Sequence, residues 1–480
     1  MRFFIFIFLL ALDGFSVAQA PSTTQLRVID STHAPFDVVE VPPTVAPPPQ
    51  PLYNVIKYGA VGDGVTFDTA AIQNAIDACA GSGGTVYLGG GKFLTAPLVL
   101  KGGMTFYIDK DAALLGSTRP QDYPDLMPQQ TAAQALRKSL LFASGADHLI
   151  LDGEGEINGQ GQLLHMNGKE PFRPSLIRIF GSTGVTVRNL SMRNPRMWTQ
   201  VYSECSHLTI DHLKVFSPRG YCPNLDGMDI CDCDHVTISN CHIEAQDDGI
   251  CLKSHGPRGL QYITVQNNSI VDFEANGIKL GTATNGPINH LLIENNQIQG
   301  ARFGGLCIES VDGSHVSDVT VRGLDMRHVS QPIFIRLSHR VPPAKDLQYA
   351  SMKQHEAGSI DNILIENFRA LDPDSKTTPS NTITGIPNAR LGSLVFRNIY
   401  IEMPGGLATL PPTPGEHDGQ YPQSNILGEV PGYAFYVRHA NQVTFDHVTV
   451  KQLKPDSRPW LANGDATVNT ISCVDLGQSH

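Results

Sequence analysis

A repeat constrains this chain more than any other feature. A short alternating apolar run, a polar corner and a second alternating pair recur from Val185, Leu208, Val236, Ile263, Leu291 and Val319. The first two copies read V-T-V-R-N-L-S-M and L-T-I-D-H-L-K-V. Successive copies start 23, 28, 27, 28 and 28 residues apart, and related copies begin at Leu149, Ile363, Leu394 and Val443. A steady period of this length means stacked structural units, each burying its apolar face against its neighbours. Alternation with period two means strands, and no helical pattern separates them. The expected fold is therefore all-β, a parallel β-helix or solenoid. The corner is usually asparagine or histidine, and the asparagines tolerate left-handed backbone and can stack into ladders. Longer spacings, 44 residues before Ile363 and 49 before Val443, imply insertions at Pro342–Gly358 and Pro404–Gly432. In solenoids such insertions gather on one face and often wall the binding groove.

An open solenoid end would expose a core cross-section and sheet edges. The segment after Asp68-Thr69 reads as an amphipathic helix over Ala70–Ala80, placed to cap the N-terminal end. Residues 1–20 read as a secretory leader: Arg2, an apolar run from Phe3 to Leu12, then Ala18-Gln19-Ala20. That run is too short to span a bilayer, and no later segment approaches one. A secreted protein, extracellular or periplasmic, is the expectation. Residues 21–51 form a proline-rich linker that cannot build a core, leaving 52–480 as one domain. The net charge of -11, with no basic stripe, points away from nucleic acid and membrane surfaces. All nine cysteines follow the leader. Cys231, Cys233, Cys241 and Cys251 cluster around the chemistry below, as buried thiols or a local disulfide. None falls into a zinc-ligand spacing, and no metal or cofactor is expected. A single copy acting on a polysaccharide is the expected working unit.

The chemistry concentrates in Asn224–Lys253. Asp226 and the pair Asp247-Asp248 are each followed by glycine and a short apolar alternation. The 21 residues from Asp226 to Asp247 place them one coil apart on one face, with coils stacked about 4.8 Å apart. Adjacent acids oppose each other's ionisation, so one keeps its proton longer and suits general acid work. With a lateral offset, a gap of roughly 6.5–9.5 Å between carboxyls would admit a water and predict inversion, against about 5–5.5 Å for retention.

These motifs resemble the polygalacturonase family, glycoside hydrolase family 28. The similarity runs from Tyr53 to about Arg340. It includes Y-G-A-V-G-D-G at the start, G-E-G-E-I-N-G-Q-G over Gly153–Gly161 and R-P-S-L-I-R-I over Arg173–Ile179. It continues with N-P-R-M-W-T-Q over Asn194–Gln200, N-L-D-G at Asn224 and Q-D-D-G at Gln246. The resemblance implies a secreted, inverting hydrolase of pectic chains, galacturonan or rhamnogalacturonan, on a right-handed β-helix. It implies Asp247 as general acid, Asp226 and Asp248 as the groups that activate water, and Asn224 as the residue holding the local turn.

Two motifs depart from the family. Asn276 stands where the family has the histidine of G-H-G, and Cys307 and Glu309 replace the cations of R-I-K. A cation-to-anion change at a carboxylate clamp argues against ordinary polygalacturonan held in that mode. Alternation offers substitutes: Lys279 and Arg336 point outward, with Lys253 one coil before Lys279 and Arg336 near Glu309. A column of Lys253, Lys279, Glu309 and Arg336 is expected to line the groove. Trp198 is expected to pack half-buried rather than stack on sugar. Two rival functions remain at this level: a polysaccharide lyase on a β-helix, and a non-catalytic carbohydrate-binding β-helix.

Overall fold

The computed structural model describes residues 42–43, 45–126, 138–164, 173–217, 220, 222–272, 274–340, 356–373 and 378–477. The leader, most of the linker and all of the first insertion before residue 356 lie outside the described residues. The described strands pair in parallel throughout, in one sheet of 24 strands and one of 12. Each coil gives two strands to the larger sheet, as in Asp234–Ser239 and His242–Ala245, and one to the smaller, as in Ile250–Ser254. Parallel strands joined by such crossovers wind right-handed, and the chain is a right-handed parallel β-helix.

The alternation of the repeat becomes columns in the core. On one wall Val187, Ile210, Ile238, Val265, Ile293 and Val321 stand in register, followed by Ile365, Phe396 and Phe445. On the 12-stranded wall the inward column runs Ile179, Tyr202, Ile230, Leu252, Leu280, Ile308, Ile335, Ile383 and Val437. All of these side chains are buried. The repeat's corner residues take positive φ as expected: Asn189 (65°), His212 (52°), Asn240 (54°), Asn267 (56°) and Asn295 (53°). The ladder itself forms one residue later. The Asn268 side-chain amide donates to Asn296 Oδ1 at 2.9 Å, and Asn268 Oδ1 accepts the Cys241 amide at 2.9 Å.

The helix spans Thr69–Cys79, one residue earlier than expected, and buries Ala71, Ile72, Ala75, Ile76 and Cys79. It packs on the first coil at Leu52–Asn54, Thr85–Leu88 and Leu98–Val99. Asp68 occupies the N-cap position without capping. Its carboxylate instead accepts the amides of Val61 (2.6 Å) and Gly62 (3.1 Å), which fixes the preceding glycine turn. The end of the linker already joins the sheet, since Thr85 bonds the carbonyls of Pro51 and Pro49. At the C-terminal end Phe396, Phe435, Phe445 and Trp460 pack ring against ring. All nine cysteines are free thiols, eight of them buried, so the local-disulfide alternative falls away.

Candidate active site

The acids lie at the entry to one strand of the 12-stranded sheet on two successive coils. Met228 pairs with Ile250, which sets Asp226 level with Asp248. The coil therefore takes 22 residues here, and the stacked partner of Asp226 is Asp248, not Asp247. The glycine after each acid is a close-approach residue. A Cβ at Gly227 would meet the Gly249 carbonyl oxygen at 2.5 Å, and one at Gly249 would meet that of Gly277 at 2.6 Å. Glycine at these places lets successive coils close up beside the carboxylates. One carboxylate oxygen from each of Asp226, Asp247 and Asp248 lies within 4.8 Å of the other two. The wide gap expected between Asp226 and Asp247 is thus corrected, since these oxygens lie within 4.8 Å.

The three acids differ in surroundings. Asp248 is buried, which is the largest single influence and opposes ionisation, but the Lys279 ammonium at 3.3 Å and the groups that follow outweigh it together. Lys253, the Asn276 side-chain amide (2.6 Å) and the Cys251 thiol (3.3 Å) add to this, and the Asp248 pKa is lowered. Asp247 is partly exposed, and burial with the Asp248 charge raises its pKa. Asp226 is pushed well up by burial, then by Asp229 and Asp247, against partial relief from Lys253 at 3.7 Å. One of its oxygens, Oδ1, has no hydrogen-bond partner among the described residues. The proton affinities of the three acids are thus split, with that of Asp248 lowered and those of Asp247 and Asp226 raised. Two ammonium groups, Lys253 and Lys279, stand on the sides of the trio where a cation would otherwise balance it.

Each remaining candidate has a definite place. Asn224 is exposed with φ of 62°, and its Oδ1 accepts from Arg173 Nη2 at 2.9 Å. Arg173 also donates to the Pro223 carbonyl, so one guanidinium anchors the loop below Asp226. Asn276 is spent on Asp248: both its backbone amide (3.1 Å) and its side-chain amide reach Asp248 Oδ1. Its own Oδ1 accepts from the Cys307 thiol at 3.1 Å. Lys253 bonds Asp229 and lies 3.6 Å above the Trp198 ring. Trp198 packs half-buried on Val201 and Cys231.

The single column expected from alternation does not form. Lys279 is level with Cys251 and Cys307, whereas Lys253 is level with Cys231. An irregularity after Leu252 shifts the register, so the two lysines stand in different columns. Glu309 is level with Arg336, yet no ion pair joins them among the described residues. Glu309 is buried beside Gly281, with Oε2 unpartnered among the described residues, and burial pushes its pKa up to about 7. Arg336 is fully buried and donates to Thr384 Oγ1 (3.0 Å) and to the carbonyls of Gly385 and Glu416.

Two residues escaped the sequence reading. Asp229, fully buried against Lys253, has its pKa raised to about 6 by burial. It sits between inward-facing Met228 and Ile230, so the alternation that placed Lys279 would have placed it too. Tyr421, from the second insertion, bonds Thr282 Oγ1 at 2.7 Å and Lys279 Nζ at 3.4 Å. Nothing local in the sequence points to it.

The family model described as Glycosyl hydrolases family 28 matches residues 98–365, and that of Rhamnogalacturonase A/epimerase, pectate lyase-like, matches 52–115. The chain is 28% identical over 299 residues to a probable polygalacturonase of Vitis vinifera, covering 57% of this chain and 60% of that relative. It therefore spans less than two thirds of that relative's length. Among solved structures it resembles the Yersinia enterocolitica family 28 exopolygalacturonase (TM-score 0.64, 21% identity, 90% of this chain and 78% of that one). It also resembles the Thermotoga maritima exopolygalacturonase (TM-score 0.62, 18% identity, 74% and 89%). At these identities the structural likeness shows the fold.

Proposed function

The chain belongs to glycosyl hydrolases family 28, and from that premise we propose that it hydrolyses O-glycosyl bonds of a pectic polysaccharide or oligosaccharide. The observation that carries the reading is the trio of carboxylates in mutual reach with opposed proton affinities. Asp247, raised and the most accessible, is the general acid that protonates the leaving oxygen. Asp248, held ionised by Lys279, is the base. Asp226, whose Oδ1 has no partner among the described residues, holds the same water. Asp226 and Asp248 are each nearly inaccessible, at 3% and 6% exposure. A small water reaches such oxygens more readily than the anomeric carbon of a sugar does. This favours a single displacement with inversion over a covalent intermediate, although the oxygens are closer than the usual inverting gap.

Asn276 and Lys253 are positioning residues on this reading, through Asp248 and through Asp229 with Asp226. Lys279 also faces Tyr421 and borders the substrate. Asn224 lies at the accessible edge below Asp226, and Glu309 and Arg336 lie under the insertion further along. Glu309 is 1% exposed and does not reach the substrate, so no cation stands there to hold a carboxylate, which favours a sugar unit that brings hydroxyls past Lys279. Rhamnose-containing chains meet that description. Export is proposed as well, carried by the leader pattern of residues 1–20, and N-terminal mass analysis of secreted protein tests it. The deciding experiment is incubation with galacturonan and rhamnogalacturonan oligosaccharides, with NMR of the first anomer released. Inverted product supports the scheme, retained product refutes the single displacement, and unsaturated product refutes hydrolysis in favour of elimination.

A further inference from the structure

The connection from Leu391–Gly405 to Phe435–Arg438 does not stay on its own coil. Arg438 donates to the carbonyls of Pro414 (2.7 Å) and Gly415 (3.1 Å), and Arg336 to that of Glu416. The His339 amide donates to Asp418 Oδ1 at 2.8 Å, and the Gly419 amide to the His339 carbonyl at 2.9 Å. Tyr421 then reaches Thr282 and Lys279, and Ser424 Oγ donates to the Phe303 carbonyl at 2.6 Å. Thr282 belongs to Asn276–Thr284, and three strands separate Tyr421's contact from Phe435–Arg438: Gly304–Ser310, Ile333–Leu337 and Asn381–Thr384. The segment thus runs back over four coil spacings, roughly 19 Å at about 4.8 Å each.

Beneath it, side chains that alternation aims outward are sealed. Cys307, Glu309, Phe334, Arg336, Thr384 and Arg438 are all 0–4% exposed. At the far end Tyr421 remains half exposed, with Lys279 Nζ 5.6 Å from its ring centroid and Lys279 itself 3.3 Å from Asp248. Tyr421 therefore contacts the same strand that supplies Lys279. Little more than one coil separates the acids from the obstruction, about the span of one sugar unit.

We propose that this strap, with Tyr421 at its tip, blocks the substrate groove on the C-terminal side of the acids, so that a pectic chain lodges one terminus against Tyr421 and is shortened from that end. A chain running through the groove would have to displace the strap and break the bonds named above. The exposed half of the Tyr421 ring offers the terminal sugar an apolar face with a polar edge. The proposal rests on the hydrolase reading, and its test separates the two.

The first measurement is product size and viscosity in the earliest phase of wild-type action on polymer. A single short product with slow loss of viscosity is expected, and a ladder of intermediate lengths overturns the strap. The second measurement needs no turnover. Asp247→Asn is titrated with oligosaccharides carrying a bulky label at one terminus or the other. At least a tenfold loss of affinity for one labelled series is expected, and equal binding of both overturns the proposal. Absence of any hydrolysis in the first measurement sinks the hydrolase reading, while the labelled series still decides the strap. Replacing residues 416–424 by a Gly-Ser link should let internal cleavage appear. An unchanged single product from a folded variant overturns the strap as well.

Discussion

Replacing Asn276 by alanine separates a substrate-contacting role from a positioning one. In the structure its side-chain amide donates to Asp248 Oδ1 at 2.6 Å. The substitution leaves Asp248 with the backbone amide of residue 276 at 3.1 Å and Lys279 at 3.3 Å, so the base stays in place but is less firmly held. A hydrogen bond to a charged group contributes about 1.5–3 kcal/mol. At about 1.36 kcal/mol per tenfold in rate, its full loss corresponds to a roughly 10- to 150-fold fall in kcat/KM. Because the bond favours the ionised carboxylate and lowers the Asp248 pKa, its removal raises that pKa. A base must be ionised to act, so activity is lost first on the acidic side. The assay is initial rates on a defined oligosaccharide across the pH range, with kcat and KM separated and melting temperature checked. A lower kcat with the acidic limb of kcat/KM moved to higher pH is expected. A raised KM with unchanged kcat and an unmoved limb would refute the reasoning and return Asn276 to the substrate.

Other outcomes follow from the same geometry. Asp247→Asn should lower kcat by about 10²–10⁴-fold with oligosaccharide affinity retained, as calorimetry and turnover together would show. Loss of binding in step with turnover would speak against its role as proton donor. Lys253→Met leaves Asp229 buried without its partner and should destabilise the fold by about 3–5 kcal/mol, read by chemical denaturation; an unchanged midpoint would mean that Asp229 simply protonates. Glu309→Gln tests a pH dependence. The Glu309 pKa rises from 4.5 to about 7 on folding, so folded protein binds the extra proton in that interval. Stability from this group is present below pH 4.5 and lost as pH climbs through about 7. Relative to wild type, Glu309→Gln should gain stability above pH 7, by up to about 3 kcal/mol, and show little difference near pH 4. A constant difference across that range would contradict the burial argument.

Much of the site was legible because it obeys a local rule. Alternation with period two marks every outward residue, and it correctly turned Lys253, Lys279, Glu309 and Arg336 away from the core. The same rule applied to M-D-I-C would have added Asp229. What alternation leaves open is lateral position. The coil from Asp226 to Asp248 takes 22 residues and the one from Cys251 to Lys279 takes 28, with an irregularity after Leu252. Each coil's loop absorbs a different length, so which outward residues end up level depends on how loops and bulges pack. Lys253 and Lys279 fell into separate columns for that reason. Asp68 shows the limit at smaller scale: its sequence position is that of a helix cap, but two nearby amides in a glycine turn offered its carboxylate better partners.

The sequence by itself determined the solenoid, its capping helix, its left-handed asparagine corners and the meeting of three acids on one face. All of these follow from a repeat read at short range, where each residue's neighbours are set by the next coil. Tertiary structure decided the rest. It made Asp248, rather than Asp247, the partner stacked on Asp226. It spent Asn276 on a carboxylate and sealed Glu309 and Arg336 beneath a strap. It also carried Tyr421 across 139 residues of chain to Thr282. The physical reason is that an insertion without periodicity has no register to follow. Its course is fixed by the hydrogen bonds and buried surface it finds on coils far from its own.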